Sequence, residues 1–333
     1  MLYIGDSMGK NYYIFSSGKI RRKENTFFLE YEKDGVTQRK FLPVENVGQI
    51  FFLGEIDLNS KFLDLAAKNN IVLHFFNYYG YYNGSFYPRE KFVSGDLLIH
   101  QVEHYLDGQK RLYLAKKFVE GALHNFKRNI EKRAITIVEK ISQYQENAKQ
   151  ASKISELMSC EAHARKLYYS TWEEITGWPF EERSKRPPSN ELNALISFGN
   201  SLTYSVVLKE IYFTHLNPTV SYLHEPGTKR FSLALDIAEI FKPIFVDRII
   251  FRIINLKKLD RTEHFLQETK GVFLNEEGRR VYVEEFENAL QRTILHRKLK
   301  RKVKYQSLIR LEAYKLIKHL LGESKYKPLK VWW

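Results

Sequence analysis

A single cysteine, Cys160, in 333 residues leaves no internal disulfide and no cysteine-rich zinc site, and reads as a small packing residue. No run of about 18 apolar residues occurs, and the N-terminus lacks a basic-then-apolar signal pattern. Neither membrane spanning nor export is expected, and the chain is placed in the cytoplasm. Acidic residues are in deficit, with 39 Asp and Glu against 53 Lys and Arg, for a net charge of +14. An excess of that size favours a polyanionic partner, either nucleic acid or an anionic membrane surface. Glycine and proline become scarce between Pro88 and Gly177, and that stretch reads as long helices.

What precedes Pro88 reads as strands. Tyr13, Phe15, Ile20 and the run Thr26 to Tyr31 are β-formers, broken by Ser17-Gly18 and by Asp34-Gly35, a strong hairpin signal. A short helix from Ser60 to Asn69, capped by Asn59 or Ser60, leads into a buried strand from Ile71, with His74 as a packed core histidine. Tyr78, Tyr79, Tyr81 and Tyr82 around Gly80 suit core or interface packing, with base stacking as the alternative. The expected fold class is α+β: a β-rich domain over residues 1–88, a linker over 89–94, and a larger all-α domain over 95–333.

In the helical part, His100 and His104 stand one turn apart but lack a third ligand in register. Pro179, Pro187 and Pro188 make the segment from Thr176 a surface loop, made basic by Arg183, Lys185 and Arg186, before an apolar helix from about Glu191 to Phe213. Near the C-terminus, HRKLKRKVK from His296 has the highest charge density. Leu295, Leu299 and Val303 hold a four-residue spacing through it, which predicts a basic amphipathic helix able to lie along a DNA backbone; a membrane-surface role competes. Ile309 to Leu321 continue a core-type helix, and Trp332 and Trp333 are exposed unless they dock.

The most informative residue is Glu161. Between Lys153 and Trp172 the residues Ile154, Leu157, Met158, Tyr168 and Trp172 recur at helical spacing, and Glu161 falls inside their stripe. A carboxylate there needs a cation, a hydrogen-bond network or a metal. Arg165, one turn on, supplies the simplest partner. A second segment, Ser221 to Pro243, offers His224, a turn at Glu225-Pro226-Gly227, and a helix that Ser232 can cap and that runs until Pro243. Asp236 and Glu239 lie three apart on that helix, beside a core stripe of Leu233, Ile237, Ile240 and Phe241. One imidazole and two carboxylates could thus converge on one point, with Glu161 as a fourth group, a donor set suited to a hard divalent cation.

Several linked strings carry a resemblance: NALISFGNSL from Asn193, the preceding RPP at Arg186 to Pro188, LNP followed after five residues by His224, SLALD with Glu239 three residues beyond Asp236, and FKP. Together with YYIFSSGKIRRKENTFFLE from Tyr12 and LPVENVGQIFFLGEIDL, they resemble the CRISPR-associated integrases of adaptation, the Cas-one family, over nearly the whole chain. The resemblance implies a sandwich-like N-terminal domain that builds a homodimer and a catalytic, DNA-binding helical domain. It also implies Glu161, His224 and Glu239 as ligands of Mg²⁺ or Mn²⁺, and Asp236 as a further catalytic acid. Two positions depart from the family: Glu239 stands where aspartate is frequent, and Ser221 where many members have glycine. Arg165, Arg186, Lys229, Arg230, Arg297, Lys298, Lys300 and Arg301 are the cations placed at the DNA. The implied activity is insertion of short DNA fragments into a repeat array by 3′-hydroxyl attack on a phosphodiester. The implied partners are double-stranded DNA and a small Cas-two protein that bridges two dimers, with no membrane. A metal-dependent nuclease of repair or recombination and a non-catalytic DNA-binding scaffold are the alternatives.

Overall fold

Asp34, at φ 54°, and Gly35, at φ 73°, turn the chain between two eight-residue strands, as their sequence predicts. The computed structural model describes residues 9–89, 92–228 and 231–332, so part of the expected linker lies outside the described residues. The chain divides into two units, residues 1–91 and 92–333. The first holds β1 (Lys10–Ile14), β2 (Gly18–Lys23), β3 (Thr26–Lys33), β4 (Val36–Pro43), β5 (Val47–Phe52), β6 (Ile56–Leu58), α1 (Ser60–Lys68), β7 (Val72–Phe76) and β8 (Tyr82–Phe86). They form two four-stranded sheets, ordered β1-β5-β7-β8 and β4-β3-β2-β6, each mixing parallel and antiparallel pairs. Ile14, Ile20, Phe27, Leu42, Phe52 and Leu73 bring both sheets into one core, with Phe62 and Leu65 of α1. Asn59 caps α1 through its side chain, which accepts from the Phe62 amide. His74 is buried and bonded to Ser85 and Gln49, as a core histidine should be.

The second unit contains α2 (Gly95–Leu106), α3 (Gly108–Ile130), α4 (Ile135–Gln150), α5 (Ile154–Tyr169), α6 (Trp172–Thr176), α7 (Glu191–Tyr212), α8 (Ser232–Lys242) and α9 (Arg248–Asn255). There follow β9 (Phe265–Glu268), β10 (Gly271–Leu274), α10 (Glu276–Gln291), β11 (Thr293–His296), β12 (Arg301–Lys304) and α11 (Tyr305–Leu320). Helix α3 packs on α4, α5 and α8, so the two acid-bearing helices share one support. No helix among the described residues is long and apolar enough to cross a membrane.

This unit is not all helix. The basic run from His296, expected as an amphipathic helix, instead spans the antiparallel hairpin β11–β12, with Ile294 opposite Val303 and Lys300 at φ 54° in its turn. A four-residue apolar spacing fits one strand contact and a turn as well as it fits a helix. Thr293, Ile294 and Val303 are β-branched, and only Val303 of the expected apolar stripe is buried. His104 Nδ1 bonds the His100 carbonyl, and the His104 ring stands edge-on to His319.

Two further expectations change around α8. Ser232 does not cap with its side chain; its hydroxyl donates to the Thr219 carbonyl instead. Nor does the helical path stop at Pro243. A proline lacks the amide that would donate back along the helix and crowds the preceding turn, and here the ladder widens into a π turn over Pro243–Asp247 that continues as α9. Asn129 of α3 donates to the Pro243 carbonyl at 2.8 Å. Helix α7 meets this turn closely. A Cβ on Gly199 would stand 2.0 Å from the Tyr282 hydroxyl and 2.9 Å from Val246, so glycine is required by space. Gly199→Ala should lower stability by about 1–3 kcal/mol, read as an earlier urea midpoint at unchanged slope.

The C-terminal segment docks. Tyr326, Leu329 and Val331 are buried; Tyr326 and the Leu329 amide donate to Glu312, and Asn125 of α3 both donates to the Leu329 carbonyl and accepts from the Val331 amide. Asn125 also donates to the Ile240 carbonyl of α8. Trp332 lies under Arg297, 4.9 Å from guanidinium carbon to ring centroid. Trp333 lies outside the described residues.

Candidate active site

Leu157, Ala164 and Tyr168 bury one face of α5 completely, and Glu161 and Arg165 lie along its margin, about a fifth exposed. The expected stripe is thus present but narrower, with Met158 outside it and exposed. Arg165 Nε donates to Glu161 Oε1 at 2.6 Å, the one-turn ion pair that the spacing allows. Its Nη2 then reaches α8 and donates to Glu239 Oε2 at 2.5 Å. The guanidinium expected at the DNA therefore holds two carboxylates that are 78 residues apart in the chain, and it rests on the face of Phe126 at 4.9 Å. Glu239 has a second cation. Lys242 Nζ, three residues along α8, bonds its Oε1 at 2.5 Å.

Burial alone would raise Glu239, but Lys242 and Arg165, with His224 nearby, overcome it and hold the carboxyl well below the usual range. Lys242 was not singled out by sequence, although FKP ends the string that carries the acids. Lys185, on the loop after α6, also faces this cluster. Desolvation, with the cations Arg183, Lys242 and Arg165, lowers its pKa, and Glu239 opposes them. Sequence shows Lys185 only as one of the cations that make this loop basic, because nothing local shows where a loop folds back.

Asp236 plays a different part from Glu239. It is fully buried one turn earlier on α8, and its carboxylate accepts the backbone amides of Tyr222 at 2.7 Å, Leu223 at 2.9 Å and His224 at 2.9 Å. The same group takes the ring Nδ1 of His224 at 2.7 Å. Donation from Nδ1 makes Nε2 the acceptor nitrogen of the neutral ring, the orientation a ligating histidine needs. Ser221, where many family members carry glycine, closes this turn by donating its hydroxyl to the His224 carbonyl at 2.6 Å. Arg111 of α3 anchors the turn through the Tyr222 carbonyl and Glu225.

In kind, the donors fit a divalent cation: two carboxylates and an imidazole backed by an acid. In arrangement, no three His, Cys, Asp or Glu side chains among the described residues stand at metal-holding spacing. Arg165 takes both carboxylates and supplies the positive charge between them. Asp236 does not join them as a fourth group, since its oxygens are committed to the turn.

Beneath the cluster Tyr168 donates to Asp247, the last residue of the π turn, at 3.0 Å. Burial pushes Asp247 up to about 7, against the opposing Tyr168 hydrogen bond and the cations Arg165 and Lys242. A carboxyl that holds its proton more tightly folded than unfolded stabilises the fold fully only below its unfolded pKa near 4, and loses that contribution as pH rises through about 7. Asp247→Asn keeps the acceptor and removes the titration. The part of the pH dependence due to this group should vanish, and above pH ~7 the variant should exceed wild type by up to about 4 kcal/mol in urea titrations.

Of the other cations, Arg186 is exposed on the loop, remote in sequence from the acids, and Arg183 is spent on Asn193 and Ser197. Lys229 and Arg230 lie outside the described residues. Arg297, Lys298, Lys300 and Arg301 share the β11–β12 hairpin, with Arg297 over Trp332.

The family described as CRISPR associated protein Cas1 matches residues 12–288. A "CRISPR-associated endonuclease Cas1 2" from Moorella thermoacetica is 62% identical over 97% of this chain and 100% of its own. The solved structure of a Cas1 protein from Thermotoga maritima superposes with a TM-score of 0.87 at 42% identity, over 96% of this chain and 100% of that one. A casposase bound to integration product shares the fold at TM-score 0.82 and 18% identity, over 96% and 92% of the two chains. On the extent of the family match and the identities across both chains, this protein belongs to the Cas1 family of CRISPR-associated proteins.

Proposed function

We propose that this chain is a divalent-metal-dependent DNA endonuclease and integrase of CRISPR adaptation, which inserts short duplex fragments into a repeat array. The observation that carries the chemical part is the meeting of Glu161 and Glu239 on one guanidinium, beside a histidine whose Nδ1 is fixed by a buried acid. Glu161, His224 through Nε2, and Glu239 would hold Mg²⁺ or Mn²⁺. When bound, the ion supplies Lewis-acid stabilisation of charge on the phosphate and lowers the pKa of a coordinated hydroxyl.

The chain's own groups do the rest. Asp236 orients the imidazole and locks the turn that presents it. Lys242 and Lys185 place positive charge where a phosphodiester would enter, and Arg165 keeps the two carboxylates together while Lys242 and Arg165 hold Glu239 ionised. No serine or cysteine nucleophile is needed, because attack by a DNA 3′-hydroxyl demands positioning and charge stabilisation rather than a covalent intermediate. The net charge of +14 suits a partner held mainly through its backbone. A homodimer built by the first unit, and a Cas2 protein between two dimers, complete the proposal on family grounds.

The test is strand joining of a labelled duplex with free 3′-hydroxyls into a repeat-bearing plasmid, with Cas2 supplied, with and without Mn²⁺. Metal-dependent joined product is expected; metal-dependent cutting without joining would favour a repair nuclease.

A further inference from the structure

Away from the carboxylate cluster, α3, its C-terminal turn, α6 and α9 line a half-open cavity of about 360 Å³. Four of its lining residues are cations, Arg128, Lys132, Arg133 and Arg248, and the one carboxylate, Glu131, is taken by Arg128 Nη1 at 2.6 and 2.7 Å. Among the described residues Lys132, Arg133 and Arg248 make no ion pair. Arg248 is half-buried, and its Nε is committed to Asn129 Oδ1 at 2.6 Å, which fixes the plane of the guanidinium and leaves the Nη groups as the donors for a ligand. Arg128 Nε is buried in the same wall and has no acceptor among the described residues. Phe251 and Ile175, both buried, make the rest of the lining apolar.

A partly desolvated guanidinium without an ion-pair partner is costly, and three further cations line the same cavity. Burial and the neighbouring Arg128 and Arg292 pull Arg248 below the ordinary arginine range, with Tyr305 and Tyr168 opposing. An anion in the cavity relieves both problems at once. The geometry suits a tetrahedral oxyanion: arginine forks match phosphate oxygens two at a time, and an apolar wall strengthens each contact.

We propose that this cavity is a second, non-catalytic binding site for a phosphate group. The group is carried either by a DNA backbone or by a free nucleotide. The site is connected to the reaction centre by one residue. Asn129, which orients Arg248, also donates to the Tyr168 hydroxyl at 3.2 Å, one turn from Arg165 on α5.

Two titrations separate the sources. The first follows duplex binding by anisotropy across a KCl series for wild type, the double variant Lys132→Gln/Arg133→Gln, and Arg248→Gln. The second follows thymidine 5′-monophosphate binding by calorimetry for the same proteins. The double variant touches only exposed side chains without ion pairs, so it remains informative if Arg248→Gln fails to fold. For a backbone phosphate, the salt slope should shrink by about 1–2 with the double variant and about 1 with Arg248→Gln. For a free nucleotide, the duplex slope stays unchanged while nucleotide affinity falls at least about tenfold, or 1.4 kcal/mol. If the folded variants match wild type in both titrations, the proposal is overturned. The DNA arm rests on the reading of the protein as a DNA enzyme, yet the two can fail separately. A pocket without function leaves joining intact, whereas a wild type that binds duplex but never joins it fails the other reading and leaves the slopes to decide this one.

Discussion

Glu161→Ala should reduce metal-dependent strand joining by at least about 1,000-fold, some 4 kcal/mol of barrier, while leaving duplex binding intact or slightly tighter. The two carboxylates differ in what their loss leaves behind. Without Glu161, Arg165 still has Glu239, and Glu239 keeps Lys242, so no buried charge is stranded. Glu239→Ala loses activity to a similar degree but also strips Arg165 and Lys242 of a shared buried partner, and should unfold earlier in urea. Removing one negative charge from a surface that must accept phosphate explains the unchanged or improved binding. Joining by Glu161→Ala at more than about a tenth of the wild-type rate would mean that this carboxylate is not a ligand at all.

The second large effect belongs to Asp236. Its carboxylate is the acceptor for three consecutive backbone amides, Tyr222 to His224, as well as for the imidazole. Asp236→Ala leaves buried donors unmatched at about 1–3 kcal/mol each, so a total loss of at least about 3 kcal/mol is expected. In a unit of this size that lowers Tm by roughly 6–12 °C. Asp236→Asn retains one accepting oxygen and should fold, but it presents an amide where the imidazole needs an acceptor. Its metal affinity, followed by Mn²⁺ titration, should fall about 10–100-fold. A fully folded Asp236→Asn with wild-type Mn²⁺ affinity would show that His224 needs no positioning.

What the sequence disclosed, it disclosed through local rules. Asp34-Gly35 demanded a hairpin, Asn59 a helix start, and Glu161 a partner, because each conflicts with its surroundings unless one particular structure forms. The basic run after Leu295 carried no such conflict: Leu295 and Leu299 are exposed in the strand and turn, and a charged stretch is content in either form. Likewise, the string around Asp236 suggested one acidic cluster, yet Asp236 and Glu239 divide into a structural and a chemical acid. That division depends on where residues 222–224 fold back, which no spacing on α8 records. Lys185 and Lys242 were missed for the same reason, since a lysine on a loop or helix is ordinary until a distant carboxylate arrives beside it. The π turn at Pro243 was read as an ending, because proline announces the loss of an amide and not how the neighbouring helix accommodates it.

Asn125 holds the C-terminal segment and α8 with one side chain, across 206 residues to Val331 and 115 to Ile240. At about 5–20 residues per second, a ribosome needs roughly 10–40 s to travel from Asn125 to that segment. Only in the later part of that interval, after Ile240 has been made, does α8 exist without the segment that shares its Asn125 anchor. One buried amide side chain thus couples the helix that carries Glu239 to a stretch of chain synthesised well after it, and the fold around α8 is completed late.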